Sequence, residues 1–496
     1  MAKKPNILFI MADDIGISNL SCYSDGLMGY RTPNIDRIAR EGIRFTDSYG
    51  EQSCTAGRAA FATGQNPYRS GMTKVGAPGA DFGIPDDQVT IADALKEQGY
   101  RTGQFGKNHF GDQDRMLPTN HGFDEFFGIL YHLNAMEEPS YFDYPSEKDF
   151  PGFRKRFGPR NVLSSWADGK IVDEGELFSE RMKTFDDEVN VKSKDFIKRA
   201  VDAGEPFFVW HNNSHMHYRT HTKDESIGQA GRWQSRYHDT MIDHDKNIGD
   251  LLDYLDELGV ADDTIVVYTT DNGPHMNEWP DSAMTPFRNE KNSNWEGGFR
   301  VPMLARWGKN WLQDTVLNGI VSLNDWFRTL CTAAGNPDIK DQLHKGTTLH
   351  GVKFTSHLDG FDLSEYLTGK ADESPRNYFF YVTDDGDLAA LRFDHWKFVF
   401  LEQECNGTYN VWGNPFTKRR MPKLFNLRMD PFEKADITSN TYWKWFNDHQ
   451  FLAIPAQAFV AEHIQSFREF PAKQTPPSFT IDQVVESLQR LGAGND

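Results

Sequence analysis

Residues 248–273 read IGDLLDYLDELGVADDTIVVYTTDNG. Ile248, Leu251, Leu252, Leu255 and Leu258 recur at helical spacing, the apolar stripe of an amphipathic helix, and Gly259 stops it. Thr264–Thr270 follows at once as a run of β-branched and aromatic residues, which predicts a strand buried on both faces. The same order recurs upstream: a helical stretch at Phe196–Ala203, then Gly204, then the apolar run Pro206–Trp210. Ile7–Met11 is another short apolar run. Pro33–Glu41, with Ile35, Ile38 and Ala39 on one face and Gly42 beyond, predicts a helix with a C′ glycine. Thr90 can cap a helix carrying Ala92 and Leu95, ended by Gly99. Helix, tight turn and buried strand in alternation predict an α/β fold, a large mixed, mostly parallel sheet sandwiched by helices.

The pattern breaks at about residues 128–166, a stretch rich in Tyr, Phe and Pro with a basic patch at Arg154, Lys155, Arg156 and Arg160. It reads as an insertion, either a plain surface loop or a wall over the substrate. After Pro375 the grammar changes to short strands, Asn377–Val382, Leu388–Phe393 and Trp396–Leu401, predicting a smaller C-terminal antiparallel α+β subdomain. The expected division is therefore a catalytic unit, 1–375, and a C-terminal unit, 376–496, closing with a helix near Ile481–Leu491. Its aromatic cluster, Tyr442, Trp443, Trp445 and Phe446, reads equally as core packing or as a subunit contact, so a homo-oligomer is left open.

Seventy-two acidic against 53 basic residues give a formal charge of −19, which argues against nucleic acid or an anionic membrane as partner. No apolar run approaches the ~20 residues of a spanning helix. The opening MAKKPNILFIMADDIG has a short apolar stretch that runs straight into Asp13-Asp14. It reads as a first strand and not a signal peptide, an expectation of a cytoplasmic chain, or of a periplasmic or secreted one had a leader been removed. Cys22, Cys54, Cys331 and Cys405 are too few and too scattered for a disulfide framework.

Ligands of open α/β sheets bind beyond the carboxyl ends of the strands. The first strand ends in Asp13-Asp14 and Thr264–Thr270 ends in Asp271-Asn272. Each is an ordinary turn signal alone. Together they offer three carboxylates and an amide oxygen, hard donors suited to Ca²⁺ or Mg²⁺ and not to zinc. Pro206–Trp210 runs into a stretch with His215, His217 and His221, and Tyr100–Phe105 into Lys107 and His109, which an extended segment would point the same way. Cys54 precedes good helix formers, so its sulfur is expected at a helix N-terminus, where anions are favoured and a thiol's pKa falls. Arg58 lies one turn on. The competing reading of Cys54 is a small buried hydrophobe, and of Lys291 a surface lysine.

Taken together these motifs resemble the type I, formylglycine-dependent sulfatases of the alkaline phosphatase superfamily, arylsulfatases among them. Cys54–Arg58 matches the signature Cys-x-Pro-x-Arg except at Ala56, and Gly99–His109 (GYRTGQFGKNH) matches Gly-Tyr-x-Thr-x-x-x-Gly-Lys-x-His throughout. PNILFIMADDIG, TPNIDRIAREGIRF, TTDNGPH and the segment Lys291–Pro302 look like family segments in family order, with a weaker echo at Leu424–Asp436. The resemblance implies a sulfuric ester hydrolase, acting on an aryl or carbohydrate-type sulfate, in which Cys54 is converted to Cα-formylglycine by the formylglycine-generating enzyme. One hydroxyl of its hydrate attacks sulfur in line, and the second then collapses the sulfated intermediate. It further implies that Asp13, Asp14, Asp271, Asn272 and residue 54 hold one divalent ion, Ca²⁺ favoured and Mg²⁺ the alternative. Arg58 would steady the diol, Lys107 would bind sulfate, and His109 would act as the base. Lys291 and His217, or His215 in its place, would hold and protonate the leaving oxygen. Ala56 and Arg219, the latter standing where the family carries a proline, are the departures. The rival functions are a phosphonate monoester or phosphodiester hydrolase using the same site, and a non-catalytic homologue in which Cys54 stays a thiol.

Overall fold

The computed structural model describes residues 4–74 and 76–476. The strands of the main sheet are β1 (Asn6–Ala12), β2 (Ile43–Phe45), β3 (Arg101–Lys107), β4 (Glu125–Ile129), β5 (Leu163–Trp166), β6 (Ile171–Asp173), β7 (Phe207–Asn212), β8 (Thr264–Thr270), β9 (Met303–Arg306) and β10 (Thr315–Leu317). They form one ten-stranded sheet in the order β10-β2-β9-β8-β1-β7-β3-β4-β5-β6. The centre, β8-β1-β7-β3-β4, is parallel, and antiparallel partners flank it. Parallel pairing needs crossover helices on the faces, and β1 carries the mark of it. Ile7, Phe9 and Met11 enter one apolar core while Leu8, Ile10 and Ala12 enter the other.

The helices are those the periodicity predicts. Phe185–Ala203 and Arg236–Glu257 cover one face, each closed by a glycine with positive φ, Gly204 and Gly259. Thr90 and Asp93 form a reciprocal capping box on Ile91–Glu97. Gly42 corrects its expectation. It follows the helix Pro33–Glu41 with φ −154°, so it is no left-handed cap. It is a glycine because a Cβ there would stand 2.2 Å from the Ala305 carbonyl oxygen on β9. Two strands also run further than predicted: β3 includes Lys107 and β7 includes His211 and Asn212, so these polar residues belong to strand ends and not to loops.

Beyond residue 375, β11 (Tyr378–Val382), β12 (Leu388–Phe393), β13 (Trp396–Glu402) and β14 (Thr417–Asn426) make a separate antiparallel sheet in sequence order. The sequence pattern misses β14 because its first half, Thr-Lys-Arg-Arg, lies on a solvated sheet edge, where charge and Pro422 are tolerated. Tyr442 and Phe446 pack into the core of this unit while Trp443 stays half exposed. The predicted helix at Ile481–Leu491 lies outside the described residues. A buried ionic network ties this sheet to the larger unit. The Lys397 ammonium donates to Glu296 at 3.1 Å and pairs with Glu433 at 2.7 Å, and Tyr49 donates to Glu296 at 2.7 Å. Among the described residues no helix is long and apolar enough to cross a membrane.

Candidate active site

The carboxyl ends of β1, β3 and β8 converge on the N-terminus of the helix Cys54–Thr63. Gly57 permits the approach, since a Cβ there would lie 2.0 Å from the Asp271 carbonyl oxygen. Arg58, fully buried, then reaches from the helix to three strand ends. Its Nε and Nη2 meet Asp271 Oδ2 at 3.0 and 2.9 Å, Nη1 donates to the Lys107 carbonyl at 3.3 Å, and Nη2 to the Ala12 carbonyl at 3.4 Å.

Ligand atoms of Asp13, Asp14, Cys54 and Asp271 all lie within 4.8 Å of one another. Cys54 Sγ stands 3.4 Å from Asp13 Oδ1, 3.9 Å from Asp14 Oδ1 and 3.0 Å from the Lys291 ammonium. Lys291 also donates to Asp14 at 2.6 and 2.9 Å, and Lys107 to Asp13 at 2.5 Å. Asn272 donates from Nδ2 to Asp14 at 2.6 Å, while its buried Oδ1 has no hydrogen-bond partner. Lys291 is thus no surface lysine, and the carboxylates, Asn272 and Lys107 that the strand-end argument nominates meet in one place.

Burial pushes the Cys54 thiol up, and Asp13 reinforces it against Lys107 and Lys291. The expected lowering at a helix N-terminus is overturned, because desolvation and nearby carboxylates outweigh the helix end. Burial also raises the Asp271 carboxyl, Asp13 adding to it and Arg58 opposing. For Lys291 burial acts downward, but Asp14, Cys54 and Asp13 hold the ammonium well above its ordinary value.

The histidines divide. His217 lines the cavity above Cys54, with Nε2 3.9 Å from Asp14 Oδ2 and Nδ1–H donating to the Tyr218 carbonyl at 3.1 Å. His215 turns away to Asp186, 3.0 Å from Nδ1, and His221 to Glu137 at 3.2 Å. His109 has φ +70°, so the chain beyond Lys107 is not extended as expected. Its ring nitrogens are buried without a partner. Burial pushes His109 and His217 well below the usual imidazole range, and Lys107 and Lys291 add to it. Sequence reasoning misses His132, which stacks on His217 at 4.8 Å, and His275, Tyr218, Tyr409 and Trp412 around the mouth. His275 was in view, two residues past Gly273; His132 had no signal beyond opening the insertion. That insertion supplies His132 and Asn134 to the cavity wall, whereas its basic patch is largely exposed, with Arg154 paired to Glu176 and Arg160 to Asp114. Arg219 lies half exposed, 3.7 Å from Glu137. The cavity has a volume of about 240 Å³ and Cys54 forms part of its wall.

Residues 5–336 match the family model for sulfatase, and 374–487 that for the C-terminal region of aryl-sulfatase. Arylsulfatase A of Bos taurus is 31% identical over 88% of this chain and 84% of its own. Steryl-sulfatase of Homo sapiens is 26% identical over 95% of this chain and 90% of its own. The crystal structure of the PsFucS1 sulfatase from Pseudoalteromonas sp. superposes with a TM-score of 0.84 at 28% identity, covering 95% of this chain and 92% of that one. With a buried carboxylate cluster around the Cys54 that lines its cavity and both family models matched along its length, the chain belongs to the sulfatase family and is a sulfatase, an enzyme that hydrolyses sulfate esters.

Proposed function

We propose that this sulfatase cleaves a sulfate monoester through residue 54, matured from cysteine to Cα-formylglycine by a formylglycine-generating enzyme, beside one divalent ion. The observation that carries it is the meeting of three aspartates with Cys54 Sγ and Lys291, the latter two lining the cavity. Asp13, Asp14, Asp271 and Asn272 would hold the ion together with residue 54. The unpartnered Asn272 Oδ1 and the three carboxylates are an oxygen donor set that fits a hard cation. These side chains are at most 1% exposed, which leaves little room for retained water and favours Ca²⁺ over Mg²⁺. When bound, the ion and the aldehyde hydrate supply an acidified hydroxyl as nucleophile and polarise a sulfate oxygen.

The chain's own residues do the rest. Lys107 and Lys291 hold sulfate oxygens with ammonium donors, and Arg58 keeps Asp271 and the strand ends in register while fixing positive charge beneath residue 54. His109, neutral and unpartnered, takes the proton that releases sulfate. Lys291 and His217 flank the leaving oxygen; His215, held by Asp186, is assigned no contact with it. The division into a catalytic unit, 1–375, and a C-terminal unit, 376–496, belongs to the same proposal.

Peptide mass analysis across Cys54, from protein co-expressed with the modifying enzyme, tests the proposal, with an aldehyde expected. A thiol in protein that turns over an aryl sulfate would refute it. Ala56, in the first turn of the helix, is where conversion is at issue. Paired aryl sulfate and aryl phosphonate substrates test the chemistry, and a higher kcat/KM for the phosphonate would favour the phosphonate hydrolase instead.

A further inference from the structure

A second chamber adjoins the first. It has a volume of about 460 Å³, nearly twice that of the inner cavity, and the two share Lys74, Asp384 and Trp412 as a common wall. From the geometry we infer that this outer chamber is a binding site for an uncharged, hydroxyl-bearing ring, a neutral sugar unit attached to the sulfated group, and that it rejects a second sulfate.

Its chemistry is unlike that of the catalytic floor. Asp384, Asp385 and Asp387 line it, and the cation Lys74 is engaged by two of them, 2.5 Å from Asp385 and 3.3 Å from Asp384. A sulfate placed there would meet carboxylates, and the repulsion of like charges at a partly dry surface is costly. A hydroxyl, by contrast, is a donor, and carboxylates accept from it with both oxygens. Asn292 gives an independent sign of a missing donor. It lines the outer chamber, is only 4% exposed, and its Oδ1 has no hydrogen-bond partner. An amide oxygen without a protein partner, on a residue of the chamber wall, can accept from a ligand hydroxyl or amide. Trp412, 41% exposed on the shared wall, offers a flat face to the C–H side of a ring.

The chamber is built to a fixed position relative to the chemistry. Asn289 donates to the Cys405 carbonyl at 2.6 Å, Glu290 accepts from Thr408 N at 3.0 Å, and Asn294 accepts from Gln403 N at 2.7 Å. The loop of residues 403–414, which carries Trp412, is thus pinned to the segment that carries Lys291. Residue 291 faces the inner cavity and residue 292 the outer one, so one tight turn (Asn292 φ +66°) registers leaving group and neighbouring ring.

This inference rests on the catalytic assignment proposed above. It is tested with three esters: phenyl sulfate, 4-sulfooxyphenyl β-D-glucopyranoside, and the same glucoside sulfated at glucose O6, following release of the phenol. The neutral glucoside is expected to show a KM about tenfold below that of phenyl sulfate, and the 6-sulfated glucoside a KM above it, the scale of one charge interaction at a solvated rim. Asp387→Lys, a change at an exposed residue, should then lower the ratio of kcat/KM for the neutral over the sulfated glucoside about tenfold. Turnover of phenyl sulfate with no gain from the glucose, or with the sulfated glucoside preferred, overturns the outer chamber alone. Failure to turn over any of the three overturns the catalytic assignment, and the chamber's role with it.

Discussion

Arg58 is the side chain whose replacement separates charge from geometry most sharply. Its guanidinium is fully buried, pairs with Asp271 at 2.9 Å and reaches the carbonyls of Lys107 and Ala12. Arg58→Ala removes the guanidinium partner of the buried Asp271, and breaking a buried pair from one side costs about 3–5 kcal/mol. Arg58→Lys keeps the charge but offers a single ammonium where the fork spans three strand ends, so it loses at least one charge-assisted bond, about 1.5–3 kcal/mol. Both variants should melt several degrees below the parent, alanine lower than lysine, by circular dichroism at fixed saturating Ca²⁺. If Arg58 also presents charge to the reacting centre, kcat on 4-methylumbelliferyl sulfate falls about a hundred- to a thousandfold in the alanine variant, the effect of removing one preorganised donor. Aldehyde content at residue 54 must be measured alongside, so that lost maturation is not read as lost catalysis. An Arg58→Lys protein with parental melting temperature and kcat would refute the claim that the fork, and not just its charge, organises the floor.

His217→Ala should lower kcat about a hundredfold or more as a lost acid-base group, whereas His215→Ala should lower the melting temperature and leave kcat the less affected. His215 is the partner that, against burial, holds the Asp186 carboxyl below its ordinary range. Asn272→Ala removes the one amide oxygen of the proposed ion site, so Ca²⁺ affinity in equilibrium dialysis after chelator treatment should fall without a change in fold by circular dichroism. Undiminished affinity would place the ion elsewhere. His350 donates to Asp93 at 2.7 Å, and that bond raises its pKa above the usual 6.5. A raised histidine stabilises fully below its unfolded pKa and loses this contribution as pH rises through the folded value. His350→Asn, which tolerates the φ of +36°, should therefore depress the melting temperature at pH 5.5 and much less at pH 9, and an equal loss at both would refute the ion pair.

The strands and helices of the main unit were legible because burial on two faces forces a local pattern. β8 appears at Thr264–Thr270 just as the run of β-branched residues demands, and β1 extends the predicted Ile7–Met11 by one residue at each end. Charge at a solvated edge hides β14, since nothing in Thr-Lys-Arg-Arg announces pairing. Lys107 and Asn212 looked like loop residues because polar side chains at a strand's end look the same whether the ladder has stopped or not.

Sequence alone determined which groups to propose for the chemistry: the aspartates at two strand ends, the cysteine before a helix, and Arg58 one turn along, each set by its immediate neighbours. It could not decide between His215 and His217, two residues apart with the same local signal; only the packing of Asp186 against one and of His132 against the other separates them. Nor could it foresee a thiol pushed up where a helix end should lower it, because desolvation is a property of everything that surrounds an atom. The outer chamber is the extreme case. Lys74, Asn292, Asp384 and Trp412 lie more than three hundred positions apart at their extremes, and only the folded chain brings them to one wall.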